Sequence, residues 1–169
     1  MANVTWIFPA DLLSASVEAM RPHGAVGNEG LALWFGTASG TSVAVTHVVA
    51  VHGPGFRSAP LQLRLSLNAM GALTDLGDQI GAYLVGQIHS HPRQMLDLSD
   101  VDRAYGIRCQ DYLSLVCPHY AQRYVAGPDE CGVHVFDDGH YRRIPASEVA
   151  RRIHTSASPV KRLSVEVPA

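Results

Sequence analysis

The sequence contains 169 residues, of which 47% are hydrophobic and 17% charged, and its formal net charge is −2 at pH 7. This length suits a single domain over residues 1–169 with one core, and the near-neutral charge gives no reason to expect binding to nucleic acid or to an anionic membrane. No apolar run approaches the ~20 residues of a membrane span, and the start lacks the basic region of a secretory signal, so we expect a cytoplasmic protein.

The first third of the chain predicts a strand, a helix and a hairpin. The β-branched and aromatic run "VTWIF" predicts a strand, and the helical spacing of Leu13, Val17 and Met20 predicts a helix that Pro22 and Gly24 end. The runs "LALWFG" and "TSVAVTHVVAVHG" predict two strands, which the turn-prone "TASG" joins as a hairpin. The glycine- and proline-rich "GPGFRSAP" that follows is typical of a loop, and "LQLRLS" alternates as a strand.

The rest of the chain continues this alternation of strands and helices. A helix is predicted from Leu67 to about Ala82, with an apolar stripe formed by Leu67, Met70, Leu73, Leu76 and Ile80. "YLVGQI" and "YLSLVC" predict strands, "SDVDRAYGIRC" a helix between them, "GVHVFDDGHYRRI" a hairpin and "ASEVARRIH" a last helix. From about residue 156 the periodicity is too weak to assign, and we expect a flexible tail. The predicted fold class is α/β (or α+β), with a mixed central β-sheet flanked by helices.

One short segment, "GQIHSHPRQMLDLSDVD", has the residue types and spacing of a metal site. Side chains alternate along a strand, so His89 and His91 are expected on the same side, where they can bind one zinc ion. Ser99 is a favoured N-cap residue, which places Asp102 in the first turn of the next helix as the third ligand. Pro92 turns the chain out of the strand, so the strand end and the helix start can meet. Each half of the pattern alone is more often structural, but the two together favour a metal site.

The same segment resembles the motif of the JAMM metalloproteases of the MPN+ (Mov34/PAD-type) class, which is His-x-His, seven residues, Ser, two residues and Asp. Here "HSHP" begins the motif and "SDVD" ends it. The resemblance extends roughly from Glu29 to Cys117 and implies a cytidine-deaminase-like MPN/JAB domain. The family also uses a glutamate at the entrance to an upstream strand, and "NEGLALWFG" offers Glu29. Glu18 is the alternative, but it lies in a predicted amphipathic helix, where a solvated carboxylate is expected.

The chemistry implied by the resemblance is zinc-dependent hydrolysis of an amide bond. One catalytic zinc ion, held by His89, His91 and Asp102, would activate a water molecule and polarise the scissile carbonyl. Glu29 would act as the general base that passes a proton to the leaving amine, and Ser99 would donate a hydrogen bond to the developing oxyanion.

The implied substrate is a peptide or isopeptide bond after the C-terminus of a ubiquitin-like protein. A chain of this size resembles the prokaryotic JAB-like branch, which is associated with ubiquitin-like conjugation and antiphage systems, so activating and conjugating enzymes are expected as further partners. The extended tail of the substrate could bind by β-augmentation, and the segments Gly53 to Pro60 and Arg93 to Leu98 are candidates for holding it.

Other functions remain open at this point. The resemblance also allows a peptidase that processes sulfur-carrier proteins. A catalytically inactive scaffold or binding module of the MPN type is possible, although such relatives usually lack the full ligand set. A zinc hydrolase acting on small amides or nucleic acid is disfavoured, because the sequence has no basic stripe with interleaved aromatic residues.

The remaining cysteines, histidines and arginines predict no second site. Cys109, Cys117 and Cys131 are an odd number at spacings that match no zinc or redox signature, so reduced thiols are expected. Six of the thirteen basic residues lie from residue 142 to 162, and a solvated helix face with a frayed tail is favoured there over a contact with an acidic partner. The other histidines form no cluster by spacing and are expected on the surface or in the core: His23, His47, His52, His119, His134, His140 and His154.

Overall fold

The computed structural model describes residues 4–169, which form strands and short helices. The strands are β1 (Thr5–Pro9), β2 (Leu31–Ser39), β3 (Ser42–His52), β4 (Phe56–Ala59), β5 (Gln62–Leu65), β6 (Tyr83–Ser90), β7 (Leu113–Cys117), β8 (Gly132–Asp137), β9 (His140–Arg143), β10 (Ile153–Ser156) and β11 (Lys161–Glu166). The α-helices are α1 (Leu12–Gly24), α2 (Leu67–Ile80), α3 (Asp100–Tyr105) and α4 (Ala146–Arg152). Within residues 4–169, no helix combines the length and apolar character needed to cross a membrane.

Nine of these strands form one mixed sheet, as the predicted fold class requires. The strand order is β10-β1-β3-β2-β6-β7-β8-β9, and β11 pairs with β3. Strand β2 is antiparallel to β3 and β6, whereas β6 and β7 are parallel. Strands β4 and β5 form a separate antiparallel hairpin. Strand β6, which leads to the two motif histidines, therefore lies inside the sheet with a partner on each side.

The two faces of the sheet carry different helices. Trp34 of β2 lies in a core with α1 on one face, and Leu33 of the same strand packs with α2 on the other face. Leu31 belongs to the α2 face and lies directly opposite His89 of β6. Because residues paired across two strands point to the same side, His89 also projects on the α2 face.

Several predictions of local structure are wrong, because the elements depend on distant partners. Half of the predicted loop "GPGFRSAP" is strand β4, which pairs with β5. The predicted flexible tail from about residue 156 contains β11, which pairs with β3 from His47 to His52. Leu67 of the predicted apolar stripe is 91% exposed, because it lies at the start of α2 beside a groove and not over the sheet. Helix α1 also continues through Pro22 to Gly24.

The basic C-terminal segment is bound to the rest of the chain, so the predicted solvated face with a frayed tail is wrong. Four of its arginines form ion pairs within the chain: Arg142–Glu148, Arg152–Glu148, Arg143–Asp97 and Arg162–Glu18. Arg152 is 4% exposed, and its guanidinium carbon lies 4.4 Å from the centroid of the Trp6 ring. Most of the basic residues of this segment are therefore paired with acidic residues of the same chain.

Candidate metal centre

The end of strand β6 places His89 and His91 side by side. The strand is paired with β2 and β7, and the peptide N–H of His91 donates to the carbonyl of Cys117 at 2.9 Å. The two imidazoles are buried, with ring centroids 4.8 Å apart. The two imidazoles therefore project from the same side of the strand end, as the alternation of a strand predicts, with their planes inclined at 71°.

Asp102 reaches the histidines from the first turn of α3. Ser99 is the N-cap residue: its hydroxyl accepts the Asp102 N–H at 3.1 Å, and Asp102 Oδ2 accepts the Ser99 N–H at 2.8 Å. This reciprocal pair is a capping box. The Ser99 hydroxyl also donates to Asp102 Oδ2 at 2.7 Å. The helix start thus fixes the orientation of the carboxylate as well as the position of the residue.

The three predicted metal ligands form a small triangle. His89 Nε2 lies 3.1 Å from His91 Nε2, and Asp102 Oδ2 lies 3.5 Å from His89 Nε2 and 3.2 Å from His91 Nε2. Ligand atoms at about 2.0 to 2.1 Å from a tetrahedral zinc ion lie about 3.3 Å from one another. The donor set and its spacing fit a tetrahedral divalent cation, so this group of two buried histidines and one half-buried aspartate can bind a metal ion.

Glu29 lies beside this triangle without being part of it. Its Oε1 is 3.7 Å from His91 Nε2, and the residue is 3% exposed. Burial raises the pKa of the Glu29 carboxyl to about 7, although His91 lowers it and Asp102 raises it further. Burial also acts to raise the pKa of Asp102, but hydrogen bonds with His89, His91 and Ser99 hold that pKa well below its usual range. The Asp102 carboxylate is thus suited to binding a cation, and the Glu29 carboxyl to accepting and releasing a proton.

Contacts that the sequence does not predict hold Glu29 in place. The Glu29 N–H donates to the carbonyl of Ala59 at 3.0 Å, and the Ser58 hydroxyl donates to the Glu29 carbonyl at 2.6 Å. The N–H of the next residue, Gly30, donates to the hydroxyl of Ser90 at 2.8 Å. Ser90 is buried on the opposite face from the two histidines that flank it. Strand alternation signals that Ser90 points away from the metal, but no sequence pattern signals the contacts from Ser58 and Ala59.

A groove of about 670 Å³ opens beside the triangle, and His89 and Asp102 form part of its lining. The β4–β5 hairpin and the start of α2 contribute one part of the lining, and α3 contributes another. Of the two segments predicted to hold a substrate, Arg93 to Leu98 contributes Leu98 alone. The segment Gly53 to Pro60 contributes three lining residues: Pro54, Gly55 and Arg57.

Comparisons with known proteins identify a similar architecture. No protein-family model matches the chain, and no curated protein matches it in sequence. Among solved structures, the solution structure of protein DSY2949 from Desulfitobacterium hafniense has a TM-score of 0.63, with 17% sequence identity over 91% of this chain and 94% of that chain. The likeness is one of fold. A shared fold does not imply a shared function, which depends on the residues of the site.

The alternative glutamate and the cysteines lie outside the metal group. Glu18 is 56% exposed on α1 and pairs with Arg162 of β11. Cys109 is exposed, Cys117 and Cys131 are buried, and all three are free thiols. The carboxylate near the histidines is thus Glu29, the residue preferred on the basis of the family resemblance.

Among the other histidines, His134 is fully buried on β8, and neither of its ring nitrogens has a hydrogen-bond partner within residues 4–169. Its Nε2 lies 3.9 Å from Asp97 Oδ1. Burial, with smaller contributions from Arg103 and Arg143, lowers the pKa of His134 to about 4, so the ring is neutral at pH 7. Of the two positions expected from the sequence, surface or core, His134 lies in the core.

Proposed function

We propose that this chain is a zinc-dependent peptidase or isopeptidase of the JAMM/MPN+ kind, built on an MPN/JAB fold of the cytidine-deaminase-like type. The observation that carries the proposal is the triangle of His89, His91 and Asp102, whose ligand atoms lie 3.1 to 3.5 Å apart, with the buried Glu29 carboxyl 3.7 Å from one of them. A metal ligand set with a free carboxyl beside it is the combination that metal-assisted hydrolysis requires.

Each residue of the site has a separate role in this proposal. A zinc ion bound by the triangle would supply the Lewis acidity that polarises a carbonyl and activates water. Glu29 accepts the proton of the attacking water and gives it to the leaving amine. Ser99 donates its hydroxyl to the oxyanion of the tetrahedral intermediate. Since that hydroxyl donates to Asp102 Oδ2 in this structure, it has to turn during the reaction.

For the substrate, we propose a bond that follows the C-terminus of a ubiquitin-like protein, in a precursor or in a conjugate. Activating and conjugating enzymes of the same pathway are the other proposed partners. The groove supports this substrate class, because it reaches the metal triangle. Strands β4 and β5 pair only with each other within residues 4–169, which leaves an edge to which an extended tail can add by β-augmentation.

Substitution of Glu29 tests the proposed activity. With a panel of β-grasp proteins fused through their C-termini to a reporter peptide, Glu29→Gln should lower kcat/KM by about 10²- to 10⁴-fold, because the general base is lost. Zinc content and the free energy of unfolding should stay close to wild type, since the replacement has the same size.

Glu18→Gln is the matched control for this experiment, because it removes the alternative carboxylate, which is exposed and lies outside the metal group. This variant should cleave at the wild-type rate. Full turnover by Glu29→Gln would exclude Glu29 as the base, and turnover by metal-free protein would exclude the zinc mechanism altogether.

A further inference from the structure

We propose that Arg57 and Arg64 form an anion-binding subsite in the wall of the groove, which receives an acidic side chain of the peptide to be cleaved. This inference rests on the proposed function for the reaction, and it adds a substrate preference: a tail with carboxylate side chains among apolar ones, and not an arginine- or lysine-rich tail.

The two arginines lie side by side on the hairpin. Arg57 of β4 is directly opposite Arg64 of β5 in the antiparallel register, and both residues line the groove. Side chains in such a pair have Cβ atoms about 4.5 to 5.5 Å apart, and like charges placed there destabilise the pairing. The hairpin thus places two cations together at a site where a neutral pair would be more stable.

No carboxylate in the described part of the chain neutralises these two exposed charges. Within residues 4–169, neither Arg57 nor Arg64 has a carboxylate within 4.0 Å or donates a side-chain hydrogen bond, in contrast to Arg142, Arg143 and Arg152. The guanidinium carbon of Arg64 lies 5.7 Å from the centroid of the Tyr105 ring on α3. This cation–π contact joins the hairpin to α3 and holds Arg64 at the groove without neutralising its charge.

The rest of the groove determines the chemistry of the occupant. Asp102 is the sole carboxylate among the described residues of the lining, and it belongs to the metal group. Leucines of the hairpin and of α2 form apolar parts of the lining. An acidic side chain can accept charge-assisted hydrogen bonds from both guanidinium groups and remove their mutual repulsion. A basic side chain would meet two cations with no free carboxylate in the lining to offset them.

Binding of short peptides tests the subsite without requiring turnover. The probes are three hexapeptides with a neutral dye at the N-terminus and a C-terminal Gly-Gly, in which leucine alternates with glutamate, glutamine or arginine. By fluorescence polarisation, the zinc-loaded protein should bind the glutamate peptide about tenfold more tightly than the glutamine peptide, and the arginine peptide more weakly than both. The glutamate preference should decrease as the salt concentration rises.

Substitutions at the two arginines provide the decisive comparison. Arg57→Gln and Arg64→Gln should each reduce the glutamate preference, and the double variant should bind the glutamate and glutamine peptides equally. Arg151→Gln, at an exposed position on α4 outside the groove, is the matched control and should keep the wild-type preference. Circular dichroism of each variant establishes that the fold is retained.

Several outcomes would overturn the subsite. The first is an unchanged glutamate preference in the double variant, and the second is equal affinity of the wild-type protein for all three peptides. The third is binding of a single-stranded oligonucleotide that depends on Arg57 and Arg64 and is tighter than binding of the glutamate peptide. Failure of the peptidase proposal is separable, because it is measured by hydrolysis in the Glu29→Gln comparison and not by peptide binding.

Discussion

The Ser99 hydroxyl makes two hydrogen bonds with Asp102, one with its backbone N–H and one with its carboxylate. Ser99→Ala removes both. We expect the free energy of unfolding to fall by about 1 kcal/mol because the N-cap is lost. We expect zinc affinity to fall about tenfold because the ligand carboxylate loses an orienting partner. If Ser99 also stabilises the oxyanion, kcat at saturating zinc should fall by about 10²- to 10³-fold.

Zinc titration combined with kcat at saturating zinc separates the two roles of Ser99. Ser99→Thr keeps a hydroxyl and a good N-cap residue, so it should restore zinc affinity and most of the turnover. A Ser99→Ala enzyme with wild-type kcat at saturating zinc would limit Ser99 to capping α3 and orienting Asp102.

His134 provides a pH test at the scale of one residue. Its pKa is about 4 in the folded protein, lowered first by burial and then by Arg103 and Arg143, with Asp97 opposing and His89 adding to the shift. An unfolded histidine titrates near 6.5, so the unfolded chain binds more protons between about pH 6.5 and 4. The stability of the folded protein that depends on a neutral His134 is therefore fully present above about pH 6.5 and is lost as the pH falls towards 4.

His134→Phe should reduce this pH dependence. It should also cost little stability at pH 7, because it removes a buried polar ring whose nitrogens have no partner within residues 4–169. Urea unfolding at pH 7 and pH 5, in the presence of a chelator so that metal loss does not contribute, measures both effects. The same replacement at the exposed His154 is the control, and an equally steep pH dependence in His134→Phe would contradict this assignment.

At the scale of secondary-structure elements, the sequence predicts those parts of the site that local geometry determines. The positions of His89, His91 and Asp102 follow from one strand end, one proline turn and one capped helix start, all in a single segment. Glu29 was assigned by family resemblance and not from its own pattern, because its position depends on contacts with distant residues of the hairpin and of β6.

Elements whose stability comes from a distant partner are the ones that the sequence does not reveal. Strand β11 is defined by its pairing with β3, and β4 by its pairing with β5. Strand β4 is only four residues of a small hairpin. Strand β11 does carry a short alternating pattern, in which Leu163 and Val165 pack against the core on the α2 face and their neighbours are exposed, but two apolar positions are too few to identify the strand alone. The anion subsite is hidden for the same reason, since Arg57 and Arg64 become neighbours only through the register of that hairpin.

Helix α4 offers an element-scale prediction about the ion pairs of Glu148. Glu148 accepts two hydrogen bonds of 2.9 Å from Arg142 and one of 2.6 Å from the buried Arg152. Glu148→Gln leaves Arg152 without its principal counter-charge, so we expect the free energy of unfolding to fall by about 3 kcal/mol at pH 7. Glu18→Gln breaks the exposed pair with Arg162 and should change the free energy of unfolding by about 0.5 kcal/mol or less.

The effect of Glu148→Gln should depend on pH. Hydrogen bonds from Arg142, opposed by burial and reinforced by Arg152, lower the pKa of Glu148 from 4.5 to about 2. The stabilisation by a depressed carboxyl is fully present above pH 4.5 and is lost as the pH falls towards 2. Urea unfolding should therefore give a smaller difference between wild type and Glu148→Gln at pH 3 than at pH 7, and an equal difference at the two pH values would contradict the ion-pair explanation.

At the scale of the whole molecule, the metal group joins the interior of the sheet to a weakly anchored helix. His89 lies at the buried end of β6 and the buried His91 follows directly after that strand, whereas α3 has six residues and none of them is buried. Leu98, just before the helix, is buried in a cluster with Tyr112 and Tyr141, and Arg103 of the helix donates a hydrogen bond to the carbonyl of Tyr141 at 3.3 Å. A cation bound by both the end of β6 and α3 would therefore add a cross-link to a helix that has little hydrophobic packing of its own.

Zinc should accordingly raise the thermal stability of the protein. At a free zinc concentration 100-fold above Kd, binding to the folded state contributes about 2.7 kcal/mol. For a domain of this size, that corresponds to an increase in Tm of about 5 to 10 °C. Calorimetry should find this increase in wild type and in a control variant at the exposed His154, but not in His91→Ala or after addition of a chelator.

Hydrogen exchange at the amides of α3 should slow on zinc binding, because Asp102 ties that helix to β6. A zinc-dependent increase in Tm that persists in His91→Ala would mean that the ion binds elsewhere, and the proposed mechanism would lose its metal.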